Sequence, residues 1–266
     1  MAPRTFLMCP PLYFAIEYEI NPWMNLRIVP DGATAYQQWE RVVLALRSLG
    51  CKVLLIDPVR GQPDMVFTAN SGLVFNHQAI LGHFRHQERQ GEEPFYETWF
   101  RNNGYRIHRL PHGLCFEGEG DCTVYKDRLV MAHGFRTDPE AHTHVGEILQ
   151  KEVISLELTD PRFYHLDTCL VYLPGPDVLF YYPGAFSKDS IRKIRQLPSR
   201  RIEITEEEAC HFACNSVLAE NTLLLHHSTD RLRKQLEELK IQPVTAGTSE
   251  FLKAGGSVRC MVLQLH

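Results

Sequence analysis

The stretch Thr123-Val-Tyr-Lys-Asp-Arg-Leu-Val-Met131 contains two short runs of apolar and β-prone residues around the polar pair Lys126 and Asp127. This pattern predicts two antiparallel strands joined by a tight turn. Leu73 to Leu81 and Cys169 to Tyr181 have the same form, with Asn, Asp or Gly in the turn. A helical stretch follows each pair, and alternation of β and α elements predicts an α/β fold.

Apolar periodicity predicts the remaining elements. Ala35 to Leu49 has apolar residues at helical spacing, and Gly50 follows where a helix C-cap favours positive φ. Further helices are predicted at Thr137–Leu149, Ser187–Leu197 and Thr229–Leu239, the last capped by Ser228 or Thr229. Buried strands are predicted at Lys52–Asp57, Ser71–Phe75, Ala79–Gly82, Arg128–Ala132, Cys169–Leu173, Val178–Tyr182, Thr222–His226 and Met261–Leu265. About five strand-pair units fit the length, and the absence of a linker predicts one domain over residues 1–266.

Composition excludes several functional classes. The 266 residues carry a net charge of −4 without a basic stripe, so no nucleic-acid partner is expected. No apolar run is long enough to span a membrane, and Pro10 and Pro11 interrupt the N-terminal apolar stretch, so we expect a cytoplasmic protein. Of the eight cysteines, Cys210 and Cys214 form the one metal-like cluster and would share a helix face. They lack a second ligand pair at zinc spacing, so no metal is expected and their role stays open.

The C-terminal segment Ala254-Gly-Gly-Ser-Val-Arg-Cys260 places a thiol after two glycines. Glycine allows the backbone to approach a ligand closely or to adopt positive φ. Cys260 is expected to open the last strand, and a neighbouring cation would activate its thiolate as a nucleophile. An ordinary buried cysteine is the alternative.

A second motif, Phe163-Tyr-His165-Leu-Asp167, offers acid/base chemistry. On a strand, His165 and Asp167 would point to the same face. Histidine exchanges protons near neutral pH, and an aspartate can orient it or bind a cation. The alternative is a surface strand that carries two polar residues.

Two acidic or polar segments are candidates for binding a cation. Glu117-Gly-Glu119-Gly-Asp121 concentrates three carboxylates that repel one another unless a cation joins them, although a solvated turn is equally open. Asp64 and Asn70 are six residues apart and would share a strand face, where Asn70 offers both a donor and an acceptor.

Other polar residues are candidates for gripping the rest of a ligand. Arg85 and Arg136 are each candidates for clamping a carboxylate. Asn21 belongs to an Asn-Pro turn beside Trp23. No dinucleotide-binding, P-loop or serine-hydrolase motif accompanies these segments.

Taken together, the motifs resemble the guanidine-modifying penteins, which include arginine deiminases, dimethylarginine dimethylaminohydrolases, amidinotransferases and arginine dihydrolases. The resemblance runs the whole length of the chain in one order. It rests on Met8-Cys-Pro-Pro11, Ile20-Asn-Pro-Trp-Met24, Asp64-Met-Val-Phe-Thr-Ala-Asn70, Glu117-Gly-Glu-Gly-Asp121, Gly134-Phe-Arg-Thr-Asp138, Phe163-Tyr-His-Leu-Asp-Thr168, Tyr182-Pro-Gly-Ala-Phe186 and Gly255-Gly-Ser-Val-Arg-Cys260.

The resemblance implies a five-bladed α/β propeller of ββαβ units with a central active site and no cofactor. Cys260 is expected to attack the guanidinium carbon and form a covalent thiouronium, while His165 protonates the departing amine and then activates water. Glu117 is expected to assist them. Substrate contacts are expected from Asn21, Asp64, Asn70, Arg85, Asp121, Arg136 and Asp167.

The residue Asn70 departs from the acid that deiminases and dimethylarginine hydrolases carry, and so resembles arginine dihydrolases, which convert arginine to ornithine, ammonia and carbon dioxide. An amide could hold both a guanidinium and a neutral ureido group. The expected function is therefore an arginine dihydrolase that acts on a small guanidine substrate. A citrulline-forming hydrolase of arginine or dimethylarginine, an amidinotransferase and a non-enzymatic binding protein of the same fold are the alternatives, and a homo-oligomer is left open.

Overall fold

The structure, a computed structural model, describes residues 4–266; the first three residues of the N-terminal segment considered above lie outside the described residues. Its strands are β1 Thr5–Met8, β2 Lys52–Leu55, β3 Gly72–Phe75, β4 Gln78–Leu81, β5 Arg106–His108, β6 Cys122–Tyr125, β7 Arg128–His133, β8 Val153–Glu157, β9 Leu170–Leu173, β10 Val178–Tyr181, β11 Arg200–Glu203, β12 Val217–Ala219, β13 Thr222–Leu225, β14 Gln242–Thr245 and β15 Leu263–Leu265. Its helices are α1 Gly32–Ser48, α2 Gln87–Gln90, α3 Glu93–Asn102, α4 Pro139–Leu149, α5 Lys188–Gln196, α6 Glu206–Cys210, α7 Asp230–Glu238 and α8 Ser249–Leu252.

One local topology recurs through the fold: an antiparallel strand pair, a helix, and a third strand parallel to the second of the pair. The sheets β6-β7-β8, β9-β10-β11 and β12-β13-β14 each have this form. The six-stranded sheet, in the order β2-β1-β15-β3-β4-β5, contains it twice. In one of those two units, β1 pairs with β15 at Thr5 and Leu265, so both ends of the described chain lie in one sheet. The predicted α/β class is confirmed.

Helix boundaries follow the capping signals of the sequence. Helix α1 begins after Asp31, whose carboxylate accepts a hydrogen bond from the Thr34 N–H, and Gly50 follows its end with φ +76°. Thr229 caps α7 in the same way. Helix α3 was not predicted from the sequence, because it buries only Tyr96 and Phe100 and so has a weak apolar stripe.

The core packs on both sides of these sheets. One cluster of buried residues extends from Tyr125 to Ile241, and another joins Phe6 and α1 to the segment that contains Cys260. Within residues 4–266, no helix is long and apolar enough to cross a membrane.

Cys210 and Cys214 do not share a helix face, which corrects the expectation from the sequence. Helix α6 ends at Cys210, and Phe212 with φ +56° turns the chain before Cys214. The Cys210 sulfur lies 3.9 Å from an Arg162 nitrogen, whereas Cys214 is fully buried. In the described part of the chain, no group of three or more His, Cys, Asp or Glu side chains is arranged to hold a metal ion.

Candidate active site

The thiol of Cys260 lies in a turn just before β15, and not within the strand as predicted. Its sulfur accepts a hydrogen bond from Asn215 Nδ2 at 3.0 Å and lies 3.4 Å from Asp167 Oδ2. Burial, and then the neighbouring Asp167 carboxylate, raise the pKa of the Cys260 thiol well above its usual value. The two preceding glycines act as expected: Gly255 has φ +80°, and a Cβ on Gly256 would overlap the ring of Phe67.

The prediction that His165 and Asp167 share a strand face is wrong. His165 is extended, and a 3₁₀ turn over Leu166–Thr168 follows it before β9 begins. The turn sends the two side chains to different partners: His165 Nε2 lies 2.8 Å from Glu117 Oε2, while Asp167 reaches the Cys260 sulfur. The segment His165–Asp167 therefore supplies both the histidine that pairs with Glu117 and the aspartate that contacts the thiol.

The Asp167 carboxyl group is the acid nearest to the thiol. Burial raises its pKa to about 7, although the Arg259 guanidinium and hydrogen bonds with Cys260 and Asn215 act in the opposite direction. Its Oδ1 atom is buried and has no hydrogen-bond partner among the described residues. This oxygen is available to accept a hydrogen bond from a ligand.

The three acids of the Glu117–Asp121 segment diverge because a 3₁₀ turn over Gly118–Gly120 separates them. Glu119 accepts a hydrogen bond from Arg259 at 2.9 Å. Asp121 accepts one from the Thr137 hydroxyl at 2.7 Å and one from the Leu166 N–H at 3.2 Å. No single side-chain cation joins the three acids: Glu117 and Glu119 pair with two different arginines, Arg136 and Arg259, and Asp121 pairs with neutral groups.

Glu117 is the acid of this segment that belongs to the site. It is fully buried, and Arg136 Nη1 donates to its Oε2 at 3.1 Å. Burial alone would raise its pKa, but the Arg136 guanidinium and then the His165 hydrogen bond hold the pKa well below its ordinary range. Because Glu117 is therefore a carboxylate, His165 must donate through Nε2–H, which leaves its Nδ1 for other proton exchange.

Asp121 and Asp64 differ in what their carboxylates can still bind. The oxygens of Asp121 are occupied by Thr137 and Leu166, and burial raises the pKa of Asp121 to about 6. Asp121 thus holds the segment that follows His165 and does not line the cavity described below, so its contact with a ligand stays a prediction. Asp64 receives a hydrogen bond from the Tyr18 hydroxyl on Oδ2 at 3.0 Å, while its Oδ1 is buried without a partner in residues 4–266.

The expected strand linking Asp64 to Asn70 is replaced by two consecutive 3₁₀ turns, Pro63–Val66 and Thr68–Ser71. Arg89 Nη1 lies 2.8 Å from Asn70 Oδ1. A guanidinium can only donate, so the amide oxygen must face Arg89. The Asn70 NH₂ group therefore points the other way, and its nitrogen is buried with no partner in the part of the chain that the structure describes.

This orientation corrects one expectation. Asn70 is expected to offer a donor and an acceptor to a ligand, but Arg89 already bonds to the oxygen, so the NH₂ donor is the part of the amide without a partner in the described residues. The sequence gives no reason to single out Arg89, because Glu92 follows it at the i,i+3 spacing of an ordinary helical ion pair. The structure does show that pair, at 2.8 Å.

The two predicted arginines have different positions. Arg136 is buried, donates to the Ile20 carbonyl at 2.8 Å, and stacks 4.5 Å from the centre of the Tyr164 ring. Arg85 is partly exposed and pairs with Asp138 and the Arg136 carbonyl. Arg136 borders the cavity, and Arg85 does not.

One small cavity lies among several of these groups, and His165, Glu117 and Asp167 are not among its lining residues. Asn21 borders it and also forms the predicted turn, since its Oδ1 accepts from the Trp23 N–H at 2.9 Å and its Nδ2 donates to the Ala254 carbonyl at 3.1 Å. The side chains that line the cavity include Asn21, Asp64, Asn70, Arg89, Arg136, Tyr164 and Cys260. With Asp167 beside the thiol, the site offers two free carboxylate oxygens, one amide donor and a sulfur nucleophile.

This fold and this site define an α/β protein with a buried thiol in contact with an acid and an amide group, and with a histidine–glutamate pair formed by the same segment as that acid. The family described as N,N-dimethylarginine dimethylhydrolase, eukaryotic, matches residues 27–266. The N(G),N(G)-dimethylarginine dimethylaminohydrolase of Mycobacterium tuberculosis is 39% identical over 266 residues, covering 99% of this chain and 87% of that protein. The chain belongs to the dimethylarginine dimethylaminohydrolase family, which confirms the resemblance inferred from the motifs.

Arginine dihydrolases are also similar to this chain. The bifunctional arginine dihydrolase/ornithine cyclodeaminase AgrE of Nostoc is 42% identical over 265 residues, which is 98% of this chain but 37% of that protein. This chain thus spans little more than a third of the bifunctional protein.

Solved structures agree with these sequence comparisons. The N-terminal domain of the cyanobacterial arginine dihydrolase ArgZ, as a cysteine-to-serine variant bound to substrate, has a TM-score of 0.94 and 38% identity, covering 98% of both chains. An asparagine-to-serine variant of the same domain, covalently bound to a reaction intermediate, has a TM-score of 0.95 and 38% identity, covering 99% of this chain and 98% of that one.

Proposed function

We propose that this protein hydrolyses the guanidine group of arginine, with Cys260 as the nucleophile, and that it releases ornithine, two ammonia molecules and carbon dioxide at the cost of two water molecules. The observation that carries the proposal is a pair of free carboxylate oxygens near the thiol: one on Asp64, which lines the cavity together with Cys260, and one on Asp167, whose other oxygen lies 3.4 Å from the Cys260 sulfur. Buried carboxylate oxygens without partners are costly unless a ligand satisfies them. A planar cation with several N–H donors, such as a guanidinium, meets that need.

The first hydrolysis follows from the positions of the groups. The Cys260 thiol gives its proton to Asp167, and its sulfur attacks the guanidinium carbon. His165 protonates one amine, which leaves as ammonia, and a covalent thiouronium remains. Water, deprotonated by His165, then adds to the same carbon and expels the thiolate, which gives a ureido product, citrulline.

The second hydrolysis needs the ureido product to stay in place. Citrulline carries a carbonyl oxygen where arginine had a nitrogen, and this oxygen can accept a hydrogen bond from the buried NH₂ group of Asn70, which has no partner among the described residues. A second attack by Cys260 expels ammonia and leaves a thiocarbamate, which water cleaves to carbamate. Carbamate releases carbon dioxide and leaves ornithine. The similarity to arginine dihydrolases supports this two-step outcome.

A citrulline-forming hydrolase of dimethylarginine is the second candidate, because the family match and the mycobacterial relative carry that name. It uses the same first step with dimethylamine as the leaving group. The two candidates differ in whether the neutral citrulline stays bound for a second hydrolysis, and Asn70 is the residue proposed to hold it.

We also propose that the five strand units are arranged as blades of a propeller around this cavity, in one domain over residues 1–266. The recurring topology and the pairing of β1 with β15 support this arrangement. A cytoplasmic location is proposed with it, supported by the eight free thiols of the chain.

Product analysis tests the proposed function. We expect the wild-type protein to release about two ammonia molecules per arginine consumed and to form ornithine from arginine. Asn70→Asp should shift the product towards citrulline, because a carboxylate cannot donate to the ureido oxygen. Cys260→Ser should lose turnover while remaining folded, and Cys115→Ser, at a half-buried thiol, is the matched control.

The outcomes separate the candidates. Citrulline as the sole product from arginine, with one ammonia each, would exclude the dihydrolase. Turnover of dimethylarginine alone would favour the second candidate. Asn103→Asp, which makes the same change at an exposed helix end, should leave the product ratio unchanged.

A further inference from the structure

Asn215 contacts the nucleophile directly, and none of the sequence motifs includes it. Its side chain is fully buried in the turn between α6 and β12. The amide oxygen accepts hydrogen bonds from the main-chain N–H groups of Arg259 at 3.0 Å and Cys260 at 3.2 Å. The amide nitrogen donates to the Cys260 sulfur at 3.0 Å and to the Asp167 carbonyl at 3.3 Å.

The orientation of this amide is fixed by its surroundings. Main-chain N–H groups can only donate, so the atom that faces Arg259 and Cys260 must be oxygen. The NH₂ group is therefore directed at the sulfur, and rotating the amide by 180° would break all four hydrogen bonds and place its NH₂ group against two main-chain donors. The turn itself is held by the Asn215 N–H, which donates to the carbonyl of Phe212 at 3.0 Å.

We propose that Asn215 is a further catalytic residue, whose amide N–H donates to the Cys260 sulfur and stabilises the thiolate as it forms, attacks and is later expelled. The inference rests on the proposed role of Cys260 as the nucleophile. A hydrogen bond to a charged sulfur is stronger than one to a neutral thiol, so Asn215 favours the states in which the sulfur carries charge.

The other groups around the sulfur make this donor necessary. Asp167 lies 3.4 Å away and opposes a negative sulfur when it is ionised, and the Tyr164 phenol is also nearby. Arg259 favours the thiolate, but Glu119 neutralises part of its charge through a 2.9 Å hydrogen bond. Burial raises the pKa of the Cys260 thiol, whereas the hydrogen bonds from the Ser257 main chain and the Asn215 amide act in the opposite direction.

Asn215→Asp separates this role from a structural one. Aspartate has the same size and keeps an oxygen for the main-chain N–H groups of Arg259 and Cys260, but its carboxylate cannot donate to the sulfur and also repels a negative sulfur, so the uncharged variant Asn215→Ser is measured beside it. We expect kcat/KM at pH 7 to fall roughly 10- to 100-fold, as for the loss of one hydrogen bond to a charged group. The acid limb of the kcat/KM pH profile should move upward by about one unit, because the thiolate then forms only at higher pH.

Circular dichroism and a second variant complete the experiment. Asn215→Ser, whose hydroxyl is too short to reach the sulfur and which adds no charge, should also move the acid limb upward, and it remains the test if Asn215→Asp does not fold. Asn103→Asp, at an exposed helix end, should match the wild type in rate and profile.

A folded Asn215 variant with kcat/KM within twofold of wild type, or with a lower rate on an unshifted pH profile, would overturn the inference. Retained turnover in Cys260→Ser would instead reject the proposed function, and with it this inference.

Discussion

Gly120→Ala should inactivate the protein while leaving most of its fold intact. Gly120 lies in the 3₁₀ turn of the acidic segment, between Asn70 and His165. A methyl group there would overlap Asn70 Nδ2 and lie 3.3 Å from two carbons of the His165 ring. No positive φ at Gly120 opposes alanine, so the whole effect is steric.

The size of the effect follows from what can move. Ordinary contact begins at 3.4 Å, so the Asn70 amide must shift by roughly 1 Å. Arg89 holds the oxygen of that amide at 2.8 Å and prevents it from turning away. Overpacking of this kind costs about 1–3 kcal/mol of unfolding free energy, and a displacement of about 1 Å at a reacting centre costs roughly 100-fold in rate.

Urea unfolding and arginine turnover measure the two effects separately. Gly175→Ala is the matched control, since a Cβ there has nothing within 4 Å and the backbone has no positive φ. It should retain wild-type turnover and stability within about 0.5 kcal/mol. Wild-type kcat/KM in Gly120→Ala would refute the view that the spacing of Asn70 and His165 supports the reaction.

Two further predictions concern charge at the site. Burial raises the pKa of Asp167 to about 7, and a cationic substrate binds its carboxylate form, so binding should strengthen as pH rises through 7. The KM for arginine should be about tenfold higher at pH 6 than at pH 8. A KM that does not change with pH would exclude Asp167 as a group that binds the cation. Arg136→Lys should lower kcat/KM roughly 10- to 100-fold, because one ammonium cannot replace the forked contacts to Glu117 and the Ile20 carbonyl. Arg85→Lys changes only the partly exposed pair with Asp138, so its kcat/KM should stay within about threefold of the wild type. Equal losses of kcat/KM in both variants would contradict the different roles given to the two arginines.

The fold was largely predictable because its strands alternate with capped, amphipathic helices. The strand pairs β3-β4, β6-β7 and β9-β10 lie within a residue or two of their predicted places. Six short strands (β1, β5, β8, β11, β12 and β14) and helix α3 were not predicted, and further errors fall at the site. The segments that contain Asp64, Asn70, His165 and Asp167 were expected to be extended, but they form 3₁₀ turns, which carry no hydrophobic period to predict them.

The hydrogen-bond and ion-pair partners of the site residues could not be predicted from neighbouring positions in the sequence. Glu117, Glu119 and Asp121 look equivalent in the sequence, yet one meets Arg136, one meets Arg259 and one meets a hydroxyl group. The contact between Glu119 and Arg259 joins residues 140 positions apart, which no spacing rule anticipates. The same reason explains why the sequence does not rank Arg136 above Arg85, since only the structure shows that Arg136 is buried and pairs with Glu117 while Arg85 pairs with Asp138.

The placement of the site residues nevertheless follows one rule. Each strand pair is preceded by a turn, and each of these turns contributes to the site: Asn70 before β3, the acidic segment before β6, His165 and Asp167 before β9, Asn215 before β12 and Cys260 before β15. A residue in such a turn has a fixed position just before the strand, but its side chain does not have to follow the alternation between the two faces of the sheet. The rule explains why assigning these residues to strands failed. It also shows how Asn215 could be found from the sequence. Asn215 is a polar residue just before the buried strand β12, and the β12-β13-β14 unit is the one to which the sequence analysis assigns no site residue.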